Sequence, residues 1–256
     1  MRSTSIDNYI IFGTQLRFLL DAKEGWRIHG DSWVLQNIDN FVANLDAFEM
    51  PVSRRAAWEL VTFANDNLRA LGEDAVLTTA LATELQETMY RLRPTIYAES
   101  AGNIAFVVTD KRYRVDKLLD DVGSLMAPGV FRRLPDIAQH DYSEAGICIA
   151  YLRPTAAAFH LVRACEAVLR QFYRGMVRQR RIAEPWMWGP MVDDMRGRRV
   201  RPDQTLLHNL DGMRQNFRNP TQHPDKVYDI DEAQDLFAAC IDVTNRIVAS
   251  ARWIDP

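Results

Sequence analysis

The chain has 256 residues, of which 47% are hydrophobic and 25% are charged, and its formal net charge is −3. This composition excludes a chain that is disordered throughout, because the apolar residues suffice for a core. No apolar run approaches the ~20 residues that a membrane-spanning helix needs, so the sequence predicts a cytoplasmic protein without a membrane span.

The first third of the chain shows the periodicity of amphipathic helices. Apolar residues recur at steps of three and four over residues 33–48, 58–71 and 77–89, which predicts at least three antiparallel helices before residue 93. Residues 96–115 are rich in β-branched and aromatic side chains around Ala101, Gly102 and Asn103, and this pattern predicts a short β-hairpin or an ordered loop. We therefore expect a helical N-terminal domain over residues 1–120 and a second domain over residues 121–256.

The second half of the chain predicts four helices. The first covers about residues 135–151, and the second begins after Pro154. The third begins near Asp203 and the fourth near Asp229 or Asp231, since aspartate is a favourable residue at a helix N-cap. A connection of about 25 residues, rich in arginine, joins the second helix to the third. The predicted fold class is therefore all-α, with a C-terminal four-helix bundle.

The basic residues are biased towards arginine and are unevenly placed. Arginine accounts for 27 of the 31 basic residues, a bias that a GC-rich genome would also produce. Residues 170–218 nevertheless contain eleven arginines and only five acidic residues. A basic segment within an acidic protein indicates a surface for an anionic partner.

One constellation of residues suggests catalytic chemistry. The third predicted helix ends in the sequence RQNFRNPTQH, residues 214–223. Arg214 and Arg218 are four residues apart and should project from one helix face, while Asn219 and His223 should lie on the turn that follows. Arginine can hold a phosphate as its charge grows, and histidine can exchange protons near neutral pH.

This motif, at the end of the third helix of a four-helix domain, resembles the HEPN superfamily. Residues 142–170, YSEAGICIAYLRPTAAAFHLVRACEAVLR, resemble its first two helices. Residues 228–237, YDIDEAQDLF, resemble the beginning of its fourth helix. The resemblance covers roughly residues 130–250, and residues 1–120 match no family in this way.

The resemblance implies a metal-independent endoribonuclease of the toxin or antiviral-defence type, acting as a homodimer. Arg218 would hold the scissile phosphate, His223 would transfer protons, and Asn219 would orient them. Glu166 and Arg163 on the second helix, with Arg214, are candidate supporting residues. The alternative is a non-catalytic HEPN-like module that binds nucleic acid, a nucleotide or a partner protein.

Further residues are candidates for RNA binding. They are Arg196, Arg198, Arg199 and Arg201, which would contact the phosphate backbone, and Trp188, which with Trp186 could stack on bases. Cys148, Cys165 and Cys240 lie in apolar helical patterns, and no carboxylate is spaced to pair with the remaining histidines, so no metal or cofactor is predicted. The N-terminal region carries no chemical constellation, and we expect it to dock a regulatory partner protein.

Overall fold

The computed structural model of the protein describes residues 4–177, 187–250 and 252–256. These residues form an all-α fold, which confirms the predicted fold class. No sheet occurs among them, and an isolated antiparallel bridge joins Arg27 to Val76. No helix in the described ranges is both long enough and apolar enough to cross a bilayer. The chain divides into two compact units, Met1–Phe106 and Val107–Pro256.

The first unit is a helical assembly around one long helix. Its elements are α1 (Ile6–Leu20), α2 (Val34–Ala47), α3 (Pro51–Ala56), α4 (Trp58–Phe63), a π-helical turn (Ala64–Leu68) and α5 (Thr79–Ser100). Helix α5 begins after Thr78, whose hydroxyl accepts a hydrogen bond from the backbone N–H of Leu81. Helices α1, α3 and α4 pack against α5 around a core that includes Leu19, Phe41 and Leu85.

Of the two structures predicted within residues 96–115, a short β-hairpin or an ordered loop, the β-hairpin is wrong. Helix α5 continues to Ser100 with Ile96 buried, and residues 103–111 have no regular secondary structure. Ile104 and Phe106 are largely exposed, whereas Val108 is partly buried against the core of the second unit, so the apolar side chains of this segment do not share one buried face. A two-stranded hairpin without a further strand or helix against it is only marginally stable, which explains why the β-branched composition does not produce strands here.

The second unit begins earlier than residue 121. Helix α6 (Val115–Asp120) packs against the next long helix and buries Leu118 in the core of this unit. The contact is close because Gly146 faces the carbonyl oxygen of Leu118, where any Cβ would clash. Packing therefore assigns residues 107–120 to the C-terminal unit.

The four helices predicted in the second half are present close to their predicted bounds. After two short 3₁₀ turns, Val122–Leu125 and Phe131–Arg133, the unit contains α7 (Asp136–Ala150), α8 (Pro154–Val177), α9 (Trp188–Gly197), α10 (Gln204–Met213), α11 (Asn219–Thr221) and α12 (Ile230–Ala249). Asp203 caps α10, and Asp229 caps α12 in a reciprocal capping box with Glu232. Helix α8 packs against both α7 and α12 and is buried along most of its length.

The connection between α8 and α10 contains a helix that the sequence pattern did not indicate. Helix α9 buries Met191, Val192 and Met195 against α8 and α10. Trp188, at its first position, is buried and donates a hydrogen bond from Nε1 to the carbonyl oxygen of Leu210. The apolar spacing of this short helix was not recognised in the sequence because the connection is rich in arginine.

Candidate active site

The sequence suggested that the helix carrying RQNFRNPTQH, residues 214–223, ends at Asn219 and Pro220. In the structure the helical path continues past both residues. Residues Arg214–Arg218 form a π-helical turn, in which the N–H of Asn219 donates to the carbonyl oxygen of Arg214 five residues earlier. Helix α11 then carries the chain to Thr221. Proline is tolerated at Pro220 because it occupies the first turn of the new α-helical segment, where its missing N–H costs little.

The two arginines that were expected to share one helix face, Arg214 and Arg218, contact different parts of the fold. The Nη2 of Arg214 lies 2.8 Å from Oδ1 of Asp211, and its guanidinium fills the space left by the missing side chain of Gly189. Arg218 instead faces α8. Arg214 therefore contacts α9 and Asp211, and the supporting role predicted for it beside Arg218 is not seen in its contacts.

Arg218 lines a groove of about 630 Å³ along the exposed side of α8. Its remaining lining comes from α8, from the start of α7 and from Gln222 of the helix end. Four arginines line it (Arg163, Arg170, Arg174 and Arg218), together with His160 and the single carboxylate of Glu166. The groove is therefore basic on balance.

Arg218 makes a long ion pair with the carboxylate of the groove. Its Nε is buried and has no hydrogen-bond partner among the described residues, and Oε2 of Glu166 is 3.9 Å away. The other oxygen of Glu166 accepts a hydrogen bond of 2.6 Å from Nη2 of Arg170. A buried guanidinium N–H without an acceptor is costly, so this position favours an anion that would supply one.

A buried carboxylate orients two further side chains of the groove. Asp141 of α7 is fully buried and accepts from Nε and Nη2 of Arg163 at 2.6 and 2.5 Å. The Nδ1 of His160 lies 2.9 Å from Oδ1 of the same carboxylate. Burial by itself would raise the pKa of Asp141, but the hydrogen bonds from Arg163 and His160 outweigh it and hold the pKa below its usual range. His160 and Arg163 are thus held in place before any ligand binds.

Asn219 and His223 face a different surface. Together with Gln215, Asp225 and Lys226 they line a shallow, open depression on an adjoining side of the helix end. The loop after His223 is anchored by the buried hydroxyls of Thr221 and Tyr228, which lie 2.8 Å apart. One chain therefore presents Arg218 and His223 on two adjoining faces of one helix end, and not in one pocket.

Two of the four arginines proposed for RNA binding around α9 lie close to carboxylates. Arg196 lies 3.3 Å from both Asp193 and Asp211, and Arg198 contacts Asp194 at 2.6 Å. Arg199 and Arg201 are exposed, and neither forms an ion pair with another described residue. The local excess of positive charge that the sequence indicated is therefore reduced by ion pairing.

The base-stacking role predicted for Trp188 is wrong for this structure. The ring is 1% exposed and packs in the core of the second unit. An indole can stack on a nucleotide base only if one of its faces is accessible. Trp186, its partner in that prediction, lies outside the described residues.

Sequence reasoning missed the pairing of Asp141 with His160. The two residues are 19 positions apart on different helices, so no local spacing reveals the contact. The available signal was the placement of His160 and Arg163 one turn apart on α8, opposite a charged residue in the otherwise apolar stripe of α7.

No family model, curated protein or solved structure matches the chain. The resemblance to the HEPN superfamily therefore stays a prediction from the residues. Among the described residues, no group of three or more His, Cys, Asp or Glu side chains is arranged to hold a metal ion.

Proposed function

We propose that this protein is a metal-independent endoribonuclease that cuts RNA by attack of the 2′-hydroxyl on the adjacent phosphate. The observation that carries the proposal is Arg218, which lines a basic groove and whose buried Nε has no hydrogen-bond partner in the part of the chain that the structure describes. A phosphodiester would supply that acceptor, and the charge of the guanidinium would stabilise the transition state as negative charge builds on the phosphate oxygens. The toxin or defence role implied by the HEPN resemblance belongs to the same proposal.

The reaction needs two proton transfers. As the 2′-oxygen bonds to phosphorus, its proton passes to a base. As the bond between phosphorus and the 5′-oxygen breaks, that oxygen takes a proton from an acid. The products are a 2′,3′-cyclic phosphate and a 5′-hydroxyl. His223 is exposed on the face next to Arg218, and its imidazole can serve as base when neutral or as acid when protonated.

The separation of Arg218 and His223 supports a site made by two copies of the chain. Within one chain the two residues line different surfaces, so His223 of one copy would meet Arg218 of the other across a two-fold axis. Such a dimer would also provide two imidazoles, one for each proton transfer. The homodimer is therefore part of the proposed mechanism.

A second candidate function is a non-catalytic module that binds RNA or another anionic partner. The same separation favours it, because a binding site needs the cations of the groove and makes no use of His223. The two candidates therefore differ in whether the imidazole of His223 is needed for function.

Cleavage of structured RNA in the presence of EDTA distinguishes the endoribonuclease from the non-catalytic module. We expect wild-type protein to release fragments ending in 2′,3′-cyclic phosphate, and His223→Ala to cut about 10²- to 10⁴-fold more slowly because a proton-transfer group is lost. His208→Ala is the matched control, since His208 is also exposed but lies on α10 outside both surfaces.

The dimer is tested in the same preparation. Light scattering should report twice the chain mass of 29.4 kDa. An excess of His223→Ala chains mixed into wild type should depress the rate more than dilution alone. A His223→Ala protein that cuts at the wild-type rate would exclude the catalytic assignment, and intact RNA with tight binding would favour the non-catalytic module.

A further inference from the structure

The groove along α8 presents an aromatic side chain at one end and cationic side chains along the rest. Phe159 is at the N-terminal end of the exposed stripe, Arg163 and Arg170 follow, and Arg174 is at the other end. At 1.5 Å per residue, the distance from Phe159 to Arg174 along the helix is about 22 Å. The groove is therefore long enough to hold an extended chain and is not limited to a single small ion.

Phe159 has half of its side chain exposed although it borders a concave surface. It lies two helical turns, about 10 Å, from Glu166. The carboxylate of Glu166 is 3.9 Å from Nε of Arg218. Aromatic faces exposed beside a basic groove bind unpaired nucleotide bases by stacking. The ring is thus separated from the Arg218 position by roughly the span of a neighbouring nucleotide.

The charges of the lining complement a phosphate backbone. Arg170 and Arg218 converge on the single carboxylate of Glu166, so their two positive charges share one negative charge. Asp141, the other carboxylate nearby, is buried and already saturated by Arg163 and His160. A polyanion would therefore meet excess positive charge in the centre of the groove.

We infer that the groove binds single-stranded RNA, with backbone phosphates at Arg170 and Arg218 and one unpaired base stacked on Phe159. A duplex does not fit this arrangement, because its bases are already stacked on one another and present no free face. The inference rests on the proposed function in that it names the strand that the same site would cut. Binding itself, however, requires no cleavage.

The test is binding of a fluorescent oligouridine with 2′-O-methyl sugars, which cannot be cut by 2′-hydroxyl attack. We expect Phe159→Ala to weaken binding about 5- to 100-fold, the range given by the loss of one stacked base. Phe159→Trp should bind at least as tightly as wild type, because it keeps an aromatic face. Phe106→Ala is the matched control, since Phe106 is also an exposed phenylalanine but lies outside the groove.

Inorganic polyphosphate separates charge from stacking, because it carries phosphates without bases. Arg170→Ala should weaken binding of both polyphosphate and the oligonucleotide, whereas Phe159→Ala should weaken only the oligonucleotide. Arg246→Ala is the control for charge. Arg246 and Arg170 are almost equally exposed, and each pairs with an acid four residues earlier, but Arg246 is on α12 and does not line the groove.

Three results would overturn the inference: equal binding of the oligonucleotide by wild type and Phe159→Ala, duplex RNA bound at least as tightly as the single strand, or poly-glutamate bound as tightly as RNA. The last would assign the groove to an acidic protein segment. If oligonucleotide binding depends on Phe159 while unmodified RNA stays intact, the groove is confirmed and the proposed cleavage is wrong. If RNA is cut but Phe159→Ala does not weaken binding of the oligonucleotide, the proposed cleavage is supported and the inference about the groove is wrong.

Discussion

Two surfaces of the second unit carry arginines, and one residue of the groove, Arg218, has a more distant carboxylate than the paired arginines around α9. Around α9, Arg196 and Arg198 each contact an aspartate within 3.3 Å. In the groove along α8, Arg218 has its nearest carboxylate at 3.9 Å, and that carboxylate is already hydrogen-bonded to Arg170. Both surfaces come from one arginine-rich stretch of sequence. The number of arginines in a segment therefore does not measure the positive charge available to a ligand, because tertiary ion pairs consume part of it.

The largest expected effect is on catalysis, and it compares one arginine from each surface. Arg218→Ala should lower the rate of RNA cleavage about 10²- to 10³-fold, the usual cost of removing a group that stabilises transition-state charge. Arg198→Ala should change the rate by less than about threefold, because Arg198 is engaged with Asp194 and not with substrate. Single-turnover cleavage assays measure both rates. Equal losses in the two variants would remove the distinction between the surfaces.

An intermediate effect is expected on the free energy of unfolding when the buried carboxylate of Asp141 is replaced. Asp141→Asn should lower the free energy of unfolding by about 2 kcal/mol, because hydrogen bonds to a charged acceptor are lost. Urea unfolding followed by circular dichroism measures this value. Asp46→Asn in the first unit should cost less than about 1 kcal/mol, because its pairing with Arg54 is exposed to solvent.

The stability difference at Asp141 should also depend on pH. Since folding lowers the pKa of this carboxyl, its contribution is complete above the unfolded-state pKa, near 3.9, and is lost as the pH falls through the folded-state value. The gap between wild type and Asp141→Asn should therefore narrow below about pH 4. A gap that stays constant on acidification would show that the charge of Asp141 contributes nothing.

The smallest expected effect is on the salt dependence of RNA binding. If Arg170 contacts a backbone phosphate, Arg170→Gln should reduce the slope of log affinity against log salt by about 0.7. Arg196→Gln should leave the slope nearly unchanged, because Arg196 lies outside the groove. Fluorescence anisotropy titrations at four or more salt concentrations measure the slopes. A larger change for Arg196 than for Arg170 would place the strand on the surface around α9.

Much of the fold could be predicted because its signals are local. The starts of α10 and α12 follow from Asp203 and Asp229, whose side chains accept hydrogen bonds from the first turn of each helix. The apolar spacing of α8 follows from its buried stripe. The absent hairpin after α5 and the presence of α9 were not predictable in this way, since each depends on whether another element covers the segment.

The candidate site was predictable in part for the same reason. Arg218, Asn219 and His223 were found because they are close in sequence. Their division between two surfaces follows because the helical path continues through Arg214–Arg218 to Thr221, where the sequence predicted a turn, and successive residues of a helix point in different directions. The partnership of Asp141 with His160 depends on the packing of α7 against α8.

The sequence by itself determined that this protein is helical, where its capped helices begin and that Arg218, Asn219 and His223 lie close together. These properties depend on side-chain type and on spacings of three to four residues, which the helix repeat converts directly into faces. The tertiary structure alone decided which arginines are neutralised, that Trp188 is buried and that Asp141 lies beneath the groove. Those outcomes depend on contacts between residues far apart in the chain, where packing and ion pairing, not local periodicity, select the partner.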